Sequence, residues 1–343
     1  MNHPAKDTSA AAAASPAELL AESPDPPASK ASAAAPSAAA VRDIAWSEAP
    51  YVVASGFCMG TADVVPGVSG GTMAVALGIY QQLLAAIASF DVAAVRSLLG
   101  LKLGAALARV HLRFLGALGL GIALGVGLMV KVVGLPTLVQ EQPKLVYSVF
   151  FGLVLGSTVV LSRRMGNFGA RAGLALALGA AVGFAVVNLV PVATPETASF
   201  VFFSGTVAIC AMLLPGISGS FILLILGKYA YVLDALGRFD LGIILPFAAG
   251  CAVGVVAFSR VVGWALSRWH DTALAALTGL LVGSLWRIWP YQELTIVVVR
   301  EKPRVIGAEP FWPQNFEVSV LGLCLAGLAA VLLLERYARS RAA

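Results

Sequence analysis

The stretch DVVPGVSGGTMA fills Asp63–Ala74, and MLLPGISGSFIL fills Met212–Leu223. Each sits inside strongly apolar sequence, and each runs Pro-Gly-x-Ser-Gly. Proline removes a backbone donor and disrupts the helical turn before it. The glycines that follow tolerate positive φ and let a ligand approach the backbone. Helix breaks are therefore expected at Pro66 and at Pro215, with new helices starting after the glycines. The first N–H groups of a new helix have no intrahelical partner, and together with the helix dipole they favour an anion. Gly67, Ser69, Gly70, Gly71 and Thr72 in the first copy, and Gly216, Ser218, Gly219 and Ser220 in the second, are the candidate anion-binding residues. The hydroxyls of Ser69, Thr72, Ser218 and Ser220 would serve as donors.

The sequence around these motifs is that of a membrane protein. Of 343 residues, 59% are hydrophobic and only 12% charged, with a mean hydropathy of +0.88. A soluble domain carries roughly 25% charged residues. The net charge of +5 fits the excess of Lys and Arg on cytoplasmic loops better than a nucleic-acid partner. Cys58, Cys210, Cys251 and Cys324 lie in apolar runs without a CxxC pair and read as small buried hydrophobes. His3, His111 and His270 are scattered through the tail and loops, so neither a zinc site nor any other metal site is expected.

Residues 1–43 are Ala/Pro/Ser-rich and too poor in large apolar residues to pack, and they read as a disordered cytoplasmic tail. After them, six continuous spans are expected near 114–135, 143–162, 172–193, 241–262, 272–290 and 317–335. The regions 50–90 and 199–236 hold the broken motifs, and each either crosses with a kink or re-enters and leaves on the same side. Backbone that is not helical is tolerated at that depth only inside protein or beside water. With both regions re-entrant, 15 of the 23 Lys and Arg fall on the inner side; with both crossing, 10 do. The positive-inside bias therefore favours the re-entrant form.

The chain also repeats itself. Pro66, Gly67, Ser69, Gly70, Gly78 and Tyr80 match Pro215, Gly216, Ser218, Gly219, Gly227 and Tyr229. Gly121, Gly125 and Lys131 match Gly250, Gly254 and Arg260, and GLVLGS at 152–157 matches GLLVGS at 279–284. The expected fold is an all-α polytopic membrane protein of two inverted repeats, 44–195 and 196–337, followed by a short cytoplasmic tail, 338–343. Each repeat has a broken re-entrant hairpin and three transmembrane helices, an architecture found in secondary transporters. The isolated Gly121/Gly125 spacing reads as helix packing, and Lys131 and Arg260 as residues at span ends.

Ionisable groups inside apolar spans are candidates for function. Asp63 precedes the first break, where the second copy has Met212; it would bind a coupling proton or Na⁺, orient the loop, or cap the helix. Lys228 follows the second motif and would either contact an anionic headgroup or extend to the interface. Gly67-Val68-Ser69-Gly70 also matches the serine loop of an intramembrane protease, but no histidine lies in a span to act as its base, so catalytic residues are not expected. The outer stretch 291–315 is a candidate hairpin over the site. Its Arg300, Lys302 and Arg304 are mixed with Glu293, Glu301 and Glu309, which makes a solvated mixed-charge loop.

With ADVVPGVSGGT at 62–72, LLPGISGSFILLILGKY at 213–229 and FGLVLGS, residues 45–337 resemble the PopT-like polyprenyl-phosphate transporters. The resemblance implies a non-enzymatic flippase that returns undecaprenyl phosphate across the bacterial cytoplasmic membrane for reuse in peptidoglycan and other envelope polymers. It implies a lipid substrate, no cofactor beyond a candidate coupling ion, no nucleic-acid partner, and cytoplasmic termini. The phosphate would sit in the paired motifs, and the prenyl tail could remain in lipid beside an apolar flank. The residues alone leave open a small inorganic anion channel or transporter and, further off, a membrane scaffold.

Overall fold

The computed structural model describes residues 43–65, 67–90, 110–299 and 302–342. The Ala/Pro/Ser-rich tail up to Arg42, Pro66, the stretch 91–109, Arg300 and Glu301 lie outside the described residues. In chain order the helices are α1 (Ala49–Asp63), α2 (Gly70–Ala76), α3 (Tyr80–Ala88), α4 (Leu112–Lys131), α5 (Leu135–Glu141), α6 (Pro143–Ser162) and α7 (Ala170–Val187). They continue with α8 (Ala198–Leu213), α9 (Gly219–Ile225), α10 (Tyr229–Arg238), α11 (Leu241–Arg268), α12 (His270–Ser284) and α13 (Val318–Ala342). A 3₁₀ turn, Leu285–Ile288, prolongs α12.

Five helices among the described residues, α4, α6, α7, α11 and α13, are long and apolar enough to cross a bilayer. They overlap five of the expected spans, with α7 ending at Val187 rather than near 193, and α11 and α13 running on to Arg268 and Ala342. The sixth, 272–290, is divided between α12 and its 3₁₀ extension. Lipid-facing positions such as Leu124, Leu178, Leu245 and Leu325 are exposed on the helix surfaces, as expected where the solvent is hydrocarbon. This is a multi-pass membrane protein.

The two broken regions have the same plan. α1 ends at Asp63 and α2 starts at Gly70; α8 ends at Leu213 and α9 starts at Gly219. Gly67 (φ 86°) and Gly216 (φ 92°) make the breaks possible with left-handed backbone. A second turn follows each seven-residue helix, and the chain bends by 118° between α2 and α3 and by 107° between α9 and α10.

Glycines set the helix pairing. A Cβ on Gly121 would lie 2.1 Å from the Val53 carbonyl oxygen, and one on Gly125 would lie 2.4 Å from that of Phe57, so α4 lies directly on α1. The same holds for Gly250 on Phe202 and Gly254 on Thr206 where α11 meets α8. Gly152 of α6 abuts Cys324 of α13, while Gly279 and Gly283 of α12 abut Leu176 and Ala180 of α7. In lipid no hydrophobic force drives helices together, and close backbone approach at small residues does this instead. In every pair the contact positions advance together along both helices, so α1 with α4, α8 with α11, α6 with α13 and α7 with α12 are parallel. At opposite ends of the α6–α13 pair stand two ion pairs, Lys144–Glu317 at 2.9 Å and Arg163–Glu335 at 3.9 Å.

Polar groups finish the helix ends. The Asp43 carboxylate accepts from the N–H groups of Arg113 and Phe114 at the start of α4, a capping role. Asp271, in the first turn of α12, accepts from Gly166 and Asn167 in the α6–α7 loop at 2.9 and 3.1 Å. The outer stretch forms a two-stranded antiparallel ribbon, β1 (Gln292–Val299) with β2 (Lys302–Pro310), beginning with Gln292 opposite Pro310. Its base is aromatic: Trp289 packs on Tyr291, Trp312 and Phe316, and its indole N–H donates to the Phe311 carbonyl. Tryptophan and tyrosine gather at the membrane–water interface in this way.

Candidate functional site

The tertiary structure brings the two breaks into contact, although 149 residues separate Gly67 from Gly216. The Gly216 N–H donates to the Thr72 hydroxyl at 3.0 Å. The Tyr80 hydroxyl donates to the Leu213 carbonyl at 2.8 Å. Gly71 lies so close to the end of α8 that a Cβ there would be 2.9 Å from the Met212 carbonyl oxygen. Pro215 is buried in this junction.

The two copies nevertheless differ chemically. At the first, the Gly70 N–H donates to the Asp63 carboxylate at 2.7 Å, and the Gly71 N–H donates to the Ser69 hydroxyl at 3.2 Å. The chain's own anion therefore occupies the start of α2. Ser69 (1% exposed) and Thr72 (0%) are sealed in the core. Asp63 is seven residues from Gly70, and the break folds its carboxylate back onto the new helix, the capping alternative among the readings of Asp63. At the second copy Met212 holds the Asp63 position, so no carboxylate arises there. Ser218 makes no capping bond to α9. Its hydroxyl pairs instead with that of Ser220 at 2.8 Å, and Ser220 is exposed.

A residue outside the motifs completes the junction. Arg287, in the 3₁₀ turn after α12, lies against Gly67, where a Cβ would come within 3.2 Å of its Cγ. Its guanidinium carbon stands 4.7 Å from the centroid of the Phe221 ring, beside Ser220 on α9. Tyr147 of α6, fully buried, is within its electrostatic reach. Arg287 thus bridges the first break and the helix that starts at the second. A guanidinium presents a planar fork of donors suited to phosphate oxygens.

Lys228 is placed elsewhere. It is 2% exposed, donates to the Thr194 carbonyl at 2.8 Å and packs near the Phe200 and Tyr231 rings. In this structure it ties the segment before α8 to the turn before α10, rather than extending to an interface. Among the described residues no three His, Cys, Asp or Glu stand together to hold a metal ion.

Residues 59–305 match the VCA0040-like family model, described as undecaprenyl phosphate translocase-like. The chain belongs to this family. A polyprenyl-phosphate transporter of Vibrio cholerae is 37% identical over 294 residues, covering 82% of this chain and 95% of that one. A polyprenyl-phosphate transporter of Staphylococcus aureus is 29% identical over 273 residues, covering 72% and 88%. No solved structure matches the chain. In this member of the undecaprenyl phosphate translocase-like family, Arg287 is the candidate site residue that motif reading passes over. Counting charges by side assigns it to an outer loop. The signal was its position inside the apolar run 272–290, where a lone charge is costly and marks function.

Proposed function

We propose that the chain is a translocase for polyprenyl phosphate and that it binds the phosphate at the junction of its two broken helices. The observation that carries this reading is Arg287 set between Gly67 and Phe221, the residue that follows the exposed Ser220 on α9. Arg287 supplies the charge. Ser218, Gly219 and Ser220 supply hydroxyls and the start of α9. Gly67, Ser69, Gly70, Gly71 and Thr72 form the buttress that holds Gly216 and Arg287 in place. The two relatives named as polyprenyl-phosphate transporters supply the substrate class.

The same reading makes the halves inverted repeats. Parallel pairing of α1 with α4 requires the chain between them to return to the side from which α1 entered, and the pair α8 and α11 imposes this on the second half. Three crossings then separate the two re-entrant hairpins, so they enter from opposite faces and meet near the midplane. Asp271 bonded to the α6–α7 loop supports this, because it puts the start of α12 on the side of residues 166–167. Rocking of one repeat against the other would expose the junction alternately. The membrane is the cytoplasmic one, both termini face the cytoplasm, and the carrier moves from the outer to the inner leaflet. Asp63 is the candidate for a coupling proton or Na⁺, since its release from Gly70 would loosen the first break.

The test is leaflet exchange of labelled undecaprenyl phosphate in proteoliposomes, followed by enzymatic access from outside. Exchange above that of empty liposomes is expected, falling at least tenfold in Arg287→Ala and less in Arg287→Lys. Equal exchange in Arg287→Ala, with normal reconstitution, would remove Arg287 from the site. Flux of inorganic phosphate or chloride without lipid exchange would assign the same junction to a small-anion transporter.

A further inference from the structure

Beside the junction runs a slot of about 530 Å³ among α1, α2, α5, α6, α13 and the end of α4. The volume is that of a small-molecule site, and helical interiors leave few voids larger than a water molecule. Its shape is long. The lining positions run from Leu323 to Leu334 on α13, ~16 Å at 1.5 Å per residue, about half of a ~30 Å hydrocarbon core. Its walls are apolar, with Met73 and Ala76 from α2 and Val146 and Phe150 from α6. Thr61 gives the lining its lone hydroxyl, a buried oxygen without a partner among the described residues.

Two walls are shared with the anion site. α2 lines the slot through Met73 and Ala76, while its Thr72 holds Gly216. α6 lines it through Val146 and Phe150, while the buried Tyr147 between them lies within electrostatic reach of Arg287. We infer that this slot takes the phosphate-proximal isoprene units of the carrier, so that part of the tail travels inside the protein rather than staying in lipid. The inference rests on the translocase reading. An uncharged apolar slot that runs from Leu323 to Leu334 of α13 suits a chain better than a compact solute, and the helices α2 and α6 that it shares with the junction select the chain attached to the phosphate.

Cys58 lines the slot and is a built-in reporter. The full chain with Cys210, Cys251 and Cys324 changed to Ala is reconstituted, and the rate of Cys58 alkylation by a membrane-permeant maleimide is followed. Undecaprenyl phosphate at a few mole per cent is expected to slow labelling at least threefold, and phosphatidic acid with ordinary acyl chains is not. Leu145→Trp, at a partly exposed position of the lining, is expected to abolish the protection and to cut leaflet exchange severalfold. Unchanged labelling while exchange proceeds would overturn the inference and leave the translocase standing, with the tail in the bilayer. Equal protection by phosphatidic acid would overturn the isoprenoid assignment. Absence of both exchange and protection would overturn the translocase reading and this inference with it.

Discussion

Asp63 and Met212 hold matching positions in two motifs that otherwise read alike, and the difference decides how each break is used. The Asp63 carboxylate caps the Gly70 N–H, so the first copy is neutralised from within and buried. Removing the acceptor leaves a buried donor unpaired, which costs about 1–3 kcal/mol. Asp63→Ala should therefore lower the melting temperature in detergent, whereas Asp63→Asn, which keeps an acceptor oxygen, should recover much of the loss. Identical melting of the Ala variant and the parent would mean that the bond does not support the fold. If Asp63 also carries the coupling ion, Asp63→Asn should keep its fold yet lose the response of exchange to an imposed proton or Na⁺ gradient. Unaltered gradient dependence would rule Asp63 out as the coupling residue. The motif pair and Asp63, with helix capping among its readings, were legible in the sequence; which N–H the carboxylate meets was not, because a carboxylate seven residues upstream reaches the new helix only through the path of the break.

At the scale of elements, the glycine pairs act as spacers between helix axes. Gly279 has the Leu176 carbonyl oxygen 2.2 Å from where its Cβ would stand, whereas Gly119, on the outer face of α4, has nothing within 4 Å. Gly279→Leu should separate α12 from α7 and reduce the yield of folded protein severalfold, judged by size-exclusion chromatography. Gly119→Leu, pointing to lipid, should be tolerated. Comparable behaviour of the two would show that the α7–α12 contact does not limit folding. Separation of α12 would also displace Arg287, which follows it by three residues. Apolar length alone predicted most of the long helices, because the hydrocarbon thickness fixes how many residues a span needs. The split of the 272–290 span into α12 and a 3₁₀ turn was hidden, since no proline or glycine stands within Ser284–Ile288.

For the whole molecule, the parallel helix pairs make a topological prediction. Single cysteines at Asn167 and His270, in a background without native cysteines, should react with an impermeant maleimide from the same side of the membrane. A cysteine at Val190 should react from the other side. If the broken regions crossed the bilayer fully, Asn167 and His270 would label from opposite sides, and the re-entrant arrangement would fall. The expected outcome is consistent with the contact of Asp271 with residues 166–167 and with the positive-inside count.

The sequence by itself determined the membrane setting, the positions of the long helices, the two breaks and the family. These depend on local composition and spacing: hydropathy over about 20 residues, proline without its donor, glycine with its freedom of φ. The tertiary structure decided which helices are partners, how differently the two breaks are capped, and that Arg287 comes between them. It also decided that α1, α2, α6 and α13 leave an apolar slot. These outcomes depend on contacts between residues more than a hundred positions apart, such as Thr72 with Gly216 and Gly67 with Arg287. No local pattern encodes such contacts, since they arise only when helix backbones dock and bring the two halves together.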